Sequence, residues 1–174
     1  MYRREMRHKA EFCQGDIVKV DMNQIRKIKS LVEKEDVCKR YRLCIHDSPD
    51  NILQEMFICR YIGDYCMPDK HHNMPESHTI IEGTEAIVLF DDFGGIQDIF
   101  ILDRDKGYLT YRIDSEVYHM TIPLTEYAVD FEVKPGPFKP EMNIFPKWAP
   151  EASDKDAVQN FLNVIMKQIK EKCE

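Results

Sequence analysis

The chain has 174 residues, 43% of them hydrophobic, with 24 Lys plus Arg against 31 Asp plus Glu and a formal net charge of −7. At about 150 residues per domain this is the length of one domain, and the apolar content excludes a disordered or collagen-like chain. The acidic balance, without any basic stripe interleaved with aromatics, argues against a nucleic acid partner, and no apolar run approaches the roughly 18 residues that span a bilayer, which argues against a membrane one.

The first residues, through Phe12, are charged. The basic cluster Arg3, Arg4, Arg7, His8 and Lys9 reads as a solvated end, so residues 1–20 are expected to form a flexible tail. They lack the roughly 7 to 15 residue apolar segment of a secretory signal, and a cytoplasmic protein is the expectation. The six cysteines, Cys13, Cys38, Cys44, Cys59, Cys66 and Cys173, show no C-x-x-C pair and are expected as reduced thiols. Cys44, Cys59 and Cys66 fall in strand-like stretches, where cysteine behaves as a small hydrophobe.

Ile25, Ile28 and Val32 recur at helical spacing, and Asp21 with Gln24 has the form of a capping box. This predicts a helix from Asp21 to about Glu35, within an N-terminal helical region 21–40. Short strands follow over Tyr41 to Ile45, Gln54 to Ile62, Tyr65 to Pro68, Ser77 to Phe90, Ile96 to Leu102, Tyr108 to Ile113, His119 to Pro123 and Ala128 to Val133, separated by turn residues such as Ser48-Pro49-Asp50-Asn51 and Pro135-Gly136-Pro137. An all-β middle over 41–150 with about eight strands suits a barrel or two-sheet jelly roll. In 151–174, Ala157, Phe161, Ile165 and Ile169, flanked by Val158, Leu162 and Met166, make one apolar stripe. That predicts an amphipathic helix packed on the barrel, with Lys167, Lys170 and Lys172 at the end where its dipole favours cations.

The chemistry concentrates in residues 63–83. Asp69 and His71, two apart, share one face of a strand, and Glu76 returns from a short loop containing Pro75. A carboxylate, an imidazole and a second carboxylate suit one divalent ion, with Fe, Mn, Ni and Zn not distinguished. His119, opening the apolar strand His119 to Pro123, is the natural further ligand. His78 has the strand parity of Glu76 and is either an extra ligand or a group holding a carboxylate. His72 faces the other way and is expected in solvent, while His46 reads as a pocket residue or a turn group. Tyr65, Tyr111, Arg112 and Tyr118 are candidates to line a pocket for a small polar molecule, and Trp148 to plug a barrel end.

Gly63, Asp69, His71, Glu76 and Gly83 have the spacing of the first cupin motif, with Asp69 where that motif has its first His; Asp114-Ser115-Glu116-Val117-Tyr118-His119 resembles the second motif, of which only the His is kept. The blocks Cys44 to Asp50, Leu53 to Met56, Val88 to Asp92, Tyr111 to Ile113, Gly136 to Phe138 and Trp148 to Pro150 resemble WbuC-type cupin metalloproteins associated with O-antigen polysaccharide gene clusters. The resemblance runs from about Arg42 to Pro150. It implies an all-β cupin double-stranded β-helix, a jelly-roll barrel flanked by N-terminal and C-terminal helices, with one divalent metal held by Asp69, His71, Glu76 and His119 in its mouth. Barrels of this kind resemble proteins that pair into homodimers, so a second copy is a candidate partner.

Two functional classes stay open. One is an enzyme acting on a sugar or sugar nucleotide by isomerase, epimerase or oxygenase chemistry in surface-polysaccharide metabolism. The other is a non-catalytic ligand-binding or regulatory module with a structural or vestigial metal site. No general base is identifiable from the residues, and barrel folds host unrelated chemistries.

Overall fold

A computed structural model describes residues 9–114 and 116–173. Its strands are β1 (Ala10–Phe12), β2 (Arg40–Cys44), β3 (Leu53–Tyr61), β4 (Lys70–His71), β5 (Glu76–Glu82), β6 (Thr84–Phe90), β7 (Ile96–Asp103), β8 (Thr110–Ile113), β9 (Tyr118–Pro123), β10 (Tyr127–Pro135) and β11 (Asn143–Ile144). The helices are α1 (Met22–Ser30) and α2 (Lys155–Cys173).

The strands form two layers. One sheet has the order β1-β2-β3-β10-β5-β8; the other has the order β7-β6-β9. The second is extended past β9 by a single bridge, in which Asp69 and His119 exchange backbone hydrogen bonds of 3.0 and 3.2 Å, and this leads on to the pair β4-β11. Two mostly antiparallel sheets face to face make a jelly-roll barrel, with the C-terminal helix packed on its second sheet.

Strand alternation sends one set of side chains between the sheets and the other set outward, and each outward apolar set is covered by a helix. α1 sets Ile25 and Ile28, followed by Val32, against Leu43, Cys59 and Val129 of the six-stranded sheet. Val158, Leu162, Ile165 and Ile169 of α2 pack on Ala86, Val88, Phe90, Met120 and Ile122 of the second sheet. Asp21 caps α1: its carboxylate accepts from Asn23 N and Gln24 N, and Gln24 Oε1 accepts from Asp21 N at 2.8 Å, which is the expected capping box. For α2, Asp154 Oδ1 accepts from Ala157 N at 3.0 Å, giving the orphan donors of the first turn a partner.

Several boundaries differ from those expected. The segment 1–20 is not all tail. Ala10–Phe12 run parallel to β2 because Ala10 and Phe12 pack on Cys44, Met56 and Ile58, and the Lys9 ammonium donates to Asp36 and to the Cys38 carbonyl. Arg3, Arg4, Arg7 and His8 lie outside the described residues, as does Ser115 of the second motif. The helical region 21–40 contains a helix of nine residues that stops at Ser30; a turn then brings Val32 into the same core, and Asp36 folds back on the Val37 N–H at 2.6 Å.

Tyr65 to Pro68 form no ladder. The span Ser77 to Phe90 is two strands, β5 and β6, belonging to opposite sheets. Gly83, at φ +78°, makes the corner, where a Cβ would run into the Tyr127 carbonyl and Thr125 Oγ1. Cys13, Cys38, Cys44, Cys59 and Cys66 are free thiols, and burial pushes Cys44 and Cys59 up to about 12, the behaviour of inert core groups.

Candidate metal centre

Parity on β5 turns Glu76, His78 and Ile80 into the barrel. His119 of β9 and His71 of β4 face them from the second layer, and all four polar side chains are at most 7% exposed. Glu76 is the hub. Its Oε1 lies 2.7 Å from His119 Nε2 and 3.3 Å from His78 Nε2, and its Oε2 lies 3.0 Å from His71 Nε2. One carboxylate thus meets three imidazoles, drawn from three strands of two sheets.

Each remaining ring atom has its own setting. His119 Nδ1 donates to the Val117 carbonyl at 3.0 Å, which leaves Nε2 as the nitrogen facing Glu76. His78 Nδ1 lies 2.6 Å from Asp130 Oδ2, and Asp130 is in turn bound by the Arg60 guanidinium. His71 Nδ1 is buried and has no hydrogen-bond partner among the described residues, with Asp69 Oδ2 at 4.0 Å. Asp69 is within metal-sharing range of His71 and His119, and its Oδ2 accepts from Asn143 Nδ2 at 3.1 Å. Asn143 is placed there by its register with His71 across the β4-β11 pair.

The electrostatics follow from this crowding. Burial works to raise the Glu76 carboxyl, but the charge and hydrogen bond of His119, then the close approach of His71 and His78, outweigh it and hold the group well below the usual range. Burial likewise opposes protonation of His119, yet the Glu76 charge and hydrogen bond, with Asp69 behind them, push it up to about 9. His78 is raised well above its ordinary value: burial is overcome by its hydrogen bond to Asp130 and by the nearby Glu76 carboxylate. Asp69 is raised, first by burial. The cluster demands positive charge at its centre, which either imidazole protons or a divalent cation can supply. Two sets of donors lie within metal-sharing range of one another, Asp69 with His71 and His119, and Glu76 with His78 and Glu132; Glu76 joins the two, and this mix of imidazole nitrogens and carboxylate oxygens fits such an ion.

Of the residues expected to meet a substrate, only part lie here. Tyr111 does: its ring stacks on His78 at 5.1 Å and 2°, and its hydroxyl is buried with no partner among the described residues; burial, then the Glu76 and Asp130 charges, keep its ionisation well above the ordinary range. Tyr65 does not. It packs in the layer between the second sheet and α2, where its hydroxyl donates to the Pro150 carbonyl at 2.6 Å. Tyr118 is also displaced, because adjacent strand residues face opposite ways: with His119 inward, Tyr118 points outward, between Trp148 and the Lys70 ammonium. Trp148 belongs to that outer layer and donates from Nε1 to the Asp92 carbonyl, so it seals the α2 side and not a barrel end. Arg112 is exposed and pairs with Asp114, and His72 is exposed and pairs with Glu116 at 2.6 Å. His46 turns its Nδ1 to the Glu55 backbone at 2.9 Å, the turn role.

The sequence reading passed over a set of charges that complete the interior. On β10, Asp130, Glu132 and Lys134 alternate with Val129, Phe131 and Val133, and register sets Glu132 beside His78. Glu132 is within metal-sharing range of Glu76 and His78, with Lys134 Nζ 2.6 Å from its Oε1. Behind them Arg60 meets Glu85 and Asp130, and Arg40 meets Asp64 at 3.2 Å. The alternation was the available signal.

No family model matches the chain, and no curated protein matches it. Solved structures do. The chain is similar to a crystal structure of CapF with the inhibitor 3-isopropenyl-tropolone, at TM-score 0.51 and 18% identity over 66% of this chain, and it spans 33% of CapF. It is similar to Cellulomonas parahominis L-ribose isomerase with L-psicose, at TM-score 0.51 and 13% identity over 66% of this chain and 71% of that one. A third is protein SO0799 from Shewanella oneidensis, at TM-score 0.55 and 7% identity over 73% and 85% of the two chains. At these identities the likeness is one of fold, and the fold is the cupin jelly roll.

Proposed function

We propose that this chain is a cupin-fold protein that holds a divalent metal ion with Glu76, His71 and His119 as its central ligands, and that it is an enzyme acting on a sugar or sugar nucleotide in surface-polysaccharide metabolism. The observation that carries the reading is the meeting of three imidazole nitrogens on the Glu76 carboxylate at 2.7, 3.0 and 3.3 Å. A bound divalent ion would supply Lewis acidity, polarising a carbonyl or hydroxyl oxygen or activating water or dioxygen, which suits isomerase, epimerase or oxygenase chemistry. The buried, unpartnered Tyr111 hydroxyl is the side-chain group best set to donate to a ligand there. The fold likeness to a sugar isomerase and the blocks resembling polysaccharide-cluster proteins support the substrate class.

Untagged protein is dialysed against Mn, Fe(II), Ni or Zn salts and its bound metal measured, then incubated with nucleotide sugars in deuterated water and followed by NMR. One equivalent of metal, lost in His119→Ala, with deuterium entering a sugar carbon or a new sugar isomer appearing, is the expected result. Failure to bind any of the four metals at micromolar concentration overturns the reading. Metal binding without turnover of any sugar would leave the non-catalytic module in its place.

A further inference from the structure

We propose that His78 is the fourth metal ligand and that Asp69 stands outside the ligand set, so that the ion is held by His71, His78, His119 and Glu76. This rests on the metal-binding reading above and assigns a position that reading leaves open.

Four features of His78 point the same way. Its Nε2 reaches the Glu76 oxygen that also meets His119. At 3.3 Å that contact does not make a hydrogen bond, and Nε2 is a buried polar atom with no hydrogen-bond partner among the described residues, on a side chain 4% exposed. An atom in that condition destabilises the fold unless something else engages it. Its other nitrogen faces Asp130 at 2.6 Å, and Asp130 is fixed by Arg60. This is the arrangement in which a carboxylate sets the tautomer and ring orientation of a metal-bound imidazole. Finally, the parallel Tyr111 ring fixes the plane of the imidazole.

Asp69 shows the opposite pattern. Its carboxylate is engaged by Asn143 at 3.1 Å, and its approach to His71 is to Nδ1 at 4.0 Å, the ring nitrogen that is not the one meeting Glu76. At that distance it makes no hydrogen bond to the His71 ring, unlike Asp130 on His78 at 2.6 Å. Glu132, although near enough to ligate, is neutralised by Lys134 at 2.6 Å. The resulting set carries one carboxylate in place of two. It shifts preference from hard cations such as Mg toward borderline ions such as Fe(II), Co, Ni and Zn.

The test is a ligand count that a supporting role would not change. Untagged protein with ring-¹⁵N-labelled histidine is loaded with Co(II), and the paramagnetically shifted ring N–H signals, one for each coordinated imidazole, are counted by NMR. Three signals are expected in the wild type and in Asp69→Asn, and two in His78→Gln, whose Co(II) affinity falls by about 10–100-fold or more. Two signals in the wild type, with Co(II) bound, would overturn the assignment and leave the metal site intact; this count needs no variant to fold. Absence of Co(II) binding would remove the metal-binding reading and the assignment together.

Discussion

Arg60 Nη1 lies 3.2 Å from Glu85 Oε1 with both side chains buried, joining β3 of one sheet to β6 of the other through the interior. The same guanidinium binds Asp130, which holds His78, and comes within 4.0 Å of Asp64, which Arg40 binds from the other side. The candidate centre therefore stands at one end of a charge network that runs through the barrel. Buried charges tolerate this only while each keeps its counterpart.

Arg60→Leu keeps apolar volume but removes the counterpart of Asp130, which stays ionised, whereas Glu85, pushed up to about 8, is largely protonated at neutral pH. The expected loss is roughly 3–5 kcal/mol, the cost of leaving a buried charge unpaired. Urea unfolding at neutral pH measures it, and a loss under about 1 kcal/mol would mean that the carboxylates find their compensation elsewhere.

Glu85 makes stability depend on pH. Burial, then the neighbouring Asp130 charge, push its carboxyl up to about 8 against the opposing pull of Arg60 and His78. The folded protein then keeps a proton that the unfolded chain releases near the ordinary value of 4.5. The associated stability is fully present below that value and is lost as pH rises through about 8. Glu85→Gln, permanently neutral, should melt with the wild type near pH 5 and above it near pH 9, by on the order of several degrees for a chain of this size. A gap that stays constant with pH would contradict the assignment.

The tyrosines separate the layers. Tyr65→Phe strips the Pro150 carbonyl of a buried donor and is expected to cost about 1–3 kcal/mol with Co(II) affinity unchanged. Tyr111→Phe removes a hydroxyl that has no protein partner, so its stability should stay within about 0.5 kcal/mol of wild type. Thermal melts paired with Co(II) titrations read both. A fall in metal affinity for Tyr65→Phe would return that residue to the site.

Much of the candidate centre was legible because it is local. The two-residue step from Asp69 to His71, the return at Glu76 and the shared parity of Glu76 and His78 are properties of one strand and one turn, and the structure brings Glu76, His71, His78 and His119 together. At β9 the same alternation puts His119 inward and Tyr118 outward, whereas the expectation of Tyr118 in a pocket rests on aromatic chemistry and not on parity. The Tyr65 assignment failed for another reason: residues 65–68 pair with no strand, so no alternation governs them.

The charges of β10 were hidden by a general rule that this fold inverts. Alternating Val129, Phe131 and Val133 with Asp130, Glu132 and Lys134 normally reads as apolar inward and polar toward water. Here α1 covers the outer face of that sheet around Val129 and makes it apolar, while the interior is where the polar set belongs.

The amino-acid order alone therefore determined the strand alternation, the capping of α1, the apolar stripe of α2 and the spacing of the candidate ligands on β4 and β5, since each depends on residues a few positions apart. Only the tertiary structure decided which face of each sheet points inward, that Glu76 would gather imidazoles from both layers, and that Asp69 would turn to Asn143 while His78 turned to Glu76. Those choices depend on pairing strands distant in sequence, and on burial that drives each charge to the nearest opposite partner in space.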